Sequence, residues 1–201
     1  MTAPGDSPPS TSFTEPAPAE PEPPEPLSVT ILEESGDWSG FTSREEAIAS
    51  AAAAVARDPQ CARARGAEAC VVLADDALLR SLNRAYRGKD AATNVLSFPF
   101  QDASGAAESR EGPDAAERRH LGPGAAELRH LGDIVMAAET LRKEAAEQGI
   151  PPAHHLQHLV VHGLLHLLGF DHDTEARAEA MERLEARILG TLAVPDPYAA
   201  A

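Results

Sequence analysis

The sequence predicts a single α+β domain, a small mixed four-stranded sheet covered by about five helices. Three observations carry this. Short apolar runs alternate with helical patterns in the order strand, helix, strand, helix, two strands and three helices. The chain has 201 residues, a length for one domain with appendages. Of these, 43% are hydrophobic and only 4% aromatic, enough for one core filled mainly by Ala, Leu and Val.

Each element has its own reason. Residues 1–26 hold 9 of the 17 prolines, five acidic residues and no basic one. Such a segment buries too little apolar surface to offset its ordering entropy, so a disordered Pro-rich acidic tail is expected. The folded domain is read as 27–192, and 193–201 as a flexible C-terminus. Val29, Ile31 and Leu32 predict a first strand. Ser43 ahead of Glu45 and Glu46 reads as a helix start, and an Ala-rich stretch carries that helix to about Arg57. Ala67 to Leu73 predicts a second strand around Cys70, Val71 and Val72. Asp75 as a cap and Asp76 in the first turn favour a helix over about 76–86. Asn94 to Phe98 reads as a third strand, which Pro99 ends or places at a sheet edge.

Residues 101–130 change character, being rich in Ala, Gly and charge. They carry a near-repeat, AAERRHLG at 115–122 and AAELRHLG at 125–132. Two copies are too few for a solenoid, so the first is read as a duplication inside a loop insertion at 101–130. Leu131 to Ala137 predicts the fourth strand. Helices follow at about 138–148, 152–168 and 174–189, with Gly169 and Gly190 as stops for the last two.

Charge narrows the function. Lys and Arg total 17 against 32 Asp and Glu, a formal net charge of −15. A general nucleic-acid coat protein is excluded, because polyanion binding needs a basic excess. No apolar run approaches the ~20 residues of a membrane-spanning helix. No basic start followed by an apolar stretch marks a secretory signal. Cys61 and Cys70 form neither a C-x-x-C pair nor a larger framework, so no disulfide scaffold is expected and a reducing cytoplasm fits.

Most of the 8 histidines fall between 154 and 172. The run His162-Gly163-Leu164-Leu165-His166-Leu167-Leu168-Gly169-Phe170-Asp171-His172 is the informative part. Residues four apart share a helix face, so His162 and His166 can point at one ion. Gly169 lets the chain leave the helix and turn back, so His172 can supply a third nitrogen. Three imidazoles suit one Zn²⁺ with a fourth position open to water, and such a water is a hydrolytic nucleophile. A lone His pair four apart is commonly half-buried surface, but the full spacing with its glycine is more demanding. The same spacing is found in the metzincin proteases, whose second residue is a Glu general base. Here that residue is Gly163, which cannot take a proton, so the zincin-like helix keeps the cradle and lacks the base.

Further blocks accompany this run. They are Leu82-Asn83-Arg84-Ala85-Tyr86-Arg87-Gly88-Lys89-Asp90, Thr93-Asn94-Val95-Leu96-Ser97-Phe98-Pro99, Leu131-Gly132-Asp133-Ile134-Val135 and His158-Leu159-Val160-Val161. In this order, over about 80–173, they resemble the YbeY endoribonucleases, also called rRNA maturation factors. With weaker helical matches the resemblance covers about 27–190. It implies a single-strand-specific, metal-dependent endoribonuclease of the cytoplasm, acting in small-subunit (16S) rRNA 3′-end maturation and ribosome quality control. It implies His162, His166 and His172 as ligands of one zinc ion and Arg87 as the functional arginine. Ribosomal proteins or an assembly GTPase are implied partners, with no role for DNA or a membrane.

The residues themselves support that arginine. Arg80, Arg84 and Arg87 form one stripe, followed by Lys89, the densest positive run in the chain. Such a stripe can grip a phosphodiester, with Arg87 stabilising developing charge. A solvated helix face is the plainer reading of the stripe by itself; with the resemblance, function is favoured for Arg87, and Arg80 and Arg84 stay open. His158, one turn before His162, is a candidate to orient a ligand or a satisfied core histidine. Asp171 is a candidate second-layer residue or proton acceptor, and Asp173 a cap for the final helix. Asn83 and Ser97 are candidates to shape a cleft, with turn and capping roles as alternatives. Met181, Leu184 and Ile188 share a helix face and read as core. Two other functions remain open at this point: a zinc metallopeptidase-like hydrolase, and a non-catalytic ribosome-assembly factor with a bound metal.

Overall fold

A computed structural model of the protein describes residues 25–100 and 129–199. The expected tail up to residue 24, the first copy of the near-repeat and most of the expected insertion lie outside the described residues. The described residues form an α+β fold with one four-stranded mixed sheet in the order β1-β2-β4-β3. The strands are β1 (Ser28–Glu33), β2 (Ala67–Ala74), β3 (Val95–Pro99) and β4 (Arg129–Ala137). β1 and β4 run parallel to β2, and β3 runs antiparallel to β4. β3 therefore sits at the sheet edge, where Pro99 costs no ladder bond on its open side.

Five α-helices cover the sheet: α1 (Arg44–Arg57), α2 (Asp76–Arg87), α3 (Ala138–Gln148), α4 (Pro152–Leu167) and α5 (Glu175–Gly190). The main core joins β2 and β4 to α1, α4 and α5, through residues such as Val71, Ile134, Ile48, Leu164 and Leu184. A smaller cluster lies on the other face, where Leu79 of α2 meets Leu96 and Val135. β4 is thus covered on both sides, and its Ile134-Val135-Met136-Ala137 run is apolar without alternation.

Several boundaries differ from the expectation. Arg129 and His130, placed in the insertion, begin β4, so half of the second repeat copy is strand. A 3₁₀ segment at Pro59–Ala64 was not foreseen; Asp58 caps it by accepting from the Gln60 amide. Asp75 does cap α2, accepting from the Leu78 amide at 2.8 Å. Asp173 does not cap α5, because Thr174 is the residue next to the first turn and accepts from the Arg177 amide. Asp173 pairs instead with the Arg177 side chain at 2.8 Å. Gly190 is the last residue of α5 rather than its stop. The segment read as a flexible C-terminus packs back, with Val194 buried and the Tyr198 hydroxyl donating to Glu185. Cys61 and Cys70 are not joined in a disulfide, and burial pushes the Cys61 thiol up to about 12. Among the described residues no helix is long and apolar enough to cross a membrane.

Candidate active site

α4 begins with Pro152 in its first turn, where the missing N–H costs nothing. It ends in a Schellman turn at Gly169, whose φ is +95°. The Phe170 amide donates to Leu165 O and the Gly169 amide to His166 O, both at 3.0 Å. This stop does more than end the helix. It turns the Phe170 carbonyl back so that it accepts from His166 Nδ1 at 3.1 Å, and it sends His172 toward the other two imidazoles.

His162 is fixed from the opposite side. Its Nδ1 donates to Glu185 Oε1 at 2.9 Å. With both Nδ1 protons directed at acceptors, His162 and His166 turn unprotonated Nε2 atoms toward each other, 3.1 Å apart. Two lone pairs at that distance repel unless a cation draws both. One nitrogen from each of His162, His166 and His172 lies within 4.8 Å of the others. The donor set therefore fits a metal ion. Burial lowers the His166 pKa, and the neighbouring His162 and His172 lower it further, which keeps the ring in its ligating neutral form.

Glu185 was not anticipated. It is 1% exposed on α5, and its second oxygen accepts from His158 Nε2 at 3.2 Å and from the Tyr198 hydroxyl. Burial alone would raise its pKa. The bonds from His158, His162 and Tyr198 outweigh burial and hold it at about 2. His158 thus shares this carboxylate with His162, and the two rings also meet edge to face with centroids 6.4 Å apart. A sequence signal existed: position 185 lies on the stripe of Met181, Leu184 and Ile188, and a carboxylate on a buried stripe needs a partner.

The imidazoles open onto a cleft of about 490 Å³. Arg87, Ser97 and Asp171 line it, as do Asn94 and Arg177, which had not been singled out for it. The His172 amide bonds to Asp171 and holds that carboxyl below its ordinary range. Asn94 is held by Glu144, which also accepts from buried His155 at 2.8 Å. Two candidates fall elsewhere. Asn83 is buried and donates to Ala91 O at 2.8 Å, so it pins the turn after α2. Arg80 is tied to Asp90 at 2.7 Å outside the cleft.

Gly163 packs on the sheet, not in the cleft. A Cβ there would lie 2.9 Å from Ile134 Cδ1 and 3.0 Å from Cγ2. Any side chain at this position, a Glu base included, would have to push the Ile134 side chain aside.

Comparison with known proteins gives the family. A family model described as Endoribonuclease YbeY matches residues 39–193. An endoribonuclease YbeY of Rhodopseudomonas palustris (strain BisA53) is 45% identical over 176 residues, covering 87% of this chain and 91% of that one. The endoribonuclease YbeY of Parvibaculum lavamentivorans is 45% identical over 175 residues, covering 87% and 86%. A solution structure of a Thermotoga maritima protein shows a looser likeness, with TM-score 0.44 and 19% identity over 86% of this chain and 99% of that one. Through the family match and these relatives, the chain belongs to the endoribonuclease YbeY family of nucleases.

Proposed function

We propose that this protein is a zinc-dependent endoribonuclease that cuts single-stranded small-subunit rRNA precursor in 3′-end maturation and ribosome quality control. The observation that carries the reading is the pair of oriented imidazole nitrogens at 3.1 Å, opening with His172 onto a cleft that Arg87 also lines. His162, His166 and His172 would hold the ion. When bound, it would supply a Lewis acid to the phosphodiester and lower the pKa of water.

The chain's own groups do the rest. Arg87 has no ion-pair or hydrogen-bond partner among the described residues, so its guanidinium is free to grip a phosphate and to stabilise charge that grows there. Ser97 stands in the same lining as a hydroxyl donor. Asp171 is the one carboxylate in the described lining and would be the group to accept a proton. The lack of a base at Gly163 disfavours the peptidase reading. Three imidazoles with an open position disfavour a purely structural metal.

An acidic chain binds free RNA weakly. Recognition shared with ribosomal proteins or an assembly GTPase in the cytoplasm accounts for activity despite a net charge of −15. The test uses immature ribosomal particles carrying the rRNA precursor, incubated with wild type or His166→Ala. Mapped RNA ends should show cuts made by wild type alone. A 2′,3′-cyclic phosphate end would identify the 2′-hydroxyl as nucleophile, and a 3′-hydroxyl or 5′-phosphate end would identify water. Equal cutting by both forms, or none by either, would overturn the reading.

A further inference from the structure

The exit of α2 is an exposed surface that carries cations without partners among the described residues. Arg84, Tyr86, Arg87 and Lys89 are all exposed there. Most other described cations are already engaged. Arg80 is tied to Asp90, Arg142 to Asp37, Arg177 to Asp173 and Arg187 to Asp58. Arg84, Arg87 and Lys89 have no such partner among the described residues. In a chain of net charge −15, three adjacent unpaired cations form a local exception.

The helix C-terminus by itself favours cations, so Arg84 and Arg87 alone would prove little. Tyr86 is the second observation. Its ring is 58% exposed, although only 4% of the chain is aromatic. It does not hang loose. Its centroid lies 5.0 Å from that of Phe98, with the rings tilted by 65°. Phe98 in turn packs against the smaller core cluster on β3. The result is an exposed aromatic surface held by a partner ring, next in sequence to Arg87, which lines the cleft.

We infer that the exit of α2 is a single-stranded RNA subsite, where Tyr86 stacks an unpaired base and Arg84 and Lys89 hold the flanking phosphates. The inference rests on the endoribonuclease reading and extends it. Aromatic faces and free cations are the two elements that bind single strands without reading sequence. A base inside a duplex has no free face for the ring, so the subsite selects unpaired RNA.

The test measures binding separately from cleavage. Metal-loaded full-length protein is titrated at low salt into a labelled single strand carrying 2′-O-methyl groups, with strand integrity checked on a gel. A matched duplex and a strand with abasic positions serve as comparisons. Tyr86→Ala should weaken single-strand binding roughly tenfold, within the range for one stacked base. Tyr86→Phe should bind as wild type, and the Tyr86→Ala defect should shrink on the abasic strand. The double variant Arg84→Gln/Lys89→Gln should lower the salt slope by about 1.4, for two phosphate contacts on a single strand. Tyr86→Ala binding the single strand as wild type does would overturn the inference and leave the nuclease reading standing. Equal loss on single strand and duplex would overturn the stacking role. Intact RNA binding with loss of a ribosomal protein contact would assign the surface to protein instead. Failure of wild type both to bind and to cut RNA would overturn the two readings together.

Discussion

The cleft is lined by two regions built on opposite plans. Along α4, His162 and His166 have each committed Nδ1 to an internal acceptor, Glu185 and Phe170 O. At the exit of α2, the side chains of Arg84, Arg87 and Lys89 have no ion-pair or hydrogen-bond partner among the described residues. The difference follows from ligand size. A small ion demands donor atoms fixed before it arrives, so the fold spends a buried carboxylate and a helix stop on orienting them. A flexible polymer brings its own shape, and groups that grip it must stay unpaired until it comes.

The comparison breaks most visibly at Arg87. Arg87→Ala should lower cleavage by about 10²–10³, the loss typical of one donor aimed at developing charge. Metal content, read by elemental analysis, should be unchanged. Full cleavage activity in this variant would remove the arginine from the mechanism. Glu185→Gln tests the other region with a smaller effect. It leaves the shape and removes the charge that fixes the His162 tautomer, so metal affinity should fall about 10–100-fold in a chelator competition. RNA affinity of the loaded protein should not change. An unaltered metal affinity would mean that the carboxylate only fills space.

The two regions also differed in how far the sequence revealed them. His162, His166 and His172 were readable because helix periodicity and one glycine convert spacing directly into position. Arg87 was singled out through the family resemblance, since its positive run on a capped helix reads by itself as a solvated face. Glu185 lies 23 residues from His162 on a different helix, and only packing of α5 against α4 brings them together. Tyr198 escaped for a similar reason, since a short terminal stretch with two prolines carries no periodicity to place it. Asn83 was left open between cleft and turn by the sequence, and its bond to Ala91 O gives it the turn. The strands were legible as apolar runs. The 3₁₀ segment at Pro59–Ala64 was not, because one or two turns leave too short a pattern.

Gly163 sharpens the contrast by asking whether the histidine region depends on its contact with the sheet. Gly163→Ala places a Cβ against Ile134 and should cost about 1–3 kcal/mol in a denaturant titration, the usual range for overpacking. Ile134→Val removes Cδ1, the nearest contact at 2.9 Å, and should restore part of the loss in the double variant. Cγ2 at 3.0 Å remains, so the rescue is partial. Additive losses in the double variant would show that the two side chains do not compete for the same space.

The smallest effect is expected where α5 is tied to the 3₁₀ segment. Asp58 is 8% exposed and accepts from Arg187 Nε at 2.9 Å and Nη2 at 3.0 Å. Burial pushes the Asp58 pKa up, but the Arg187 bonds and the Gln60 amide outweigh it and leave the pKa below the ordinary 3.8. A carboxyl with a lowered folded pKa binds its proton more readily in the unfolded chain. Its contribution is therefore complete above the ordinary aspartate range and is lost as pH falls below 3.8 through the native value. Half of the Arg187 side chain is exposed, so screening by solvent limits the pair to about 1 kcal/mol. Asp58→Asn should lower stability by about that amount at neutral pH and flatten the acid limb of the stability profile. Because the pair secures the helix that carries Glu185 and touches nothing at the exit of α2, the variant should loosen metal before it weakens RNA binding. Equal losses of both would show that the two regions share one mechanical unit rather than two.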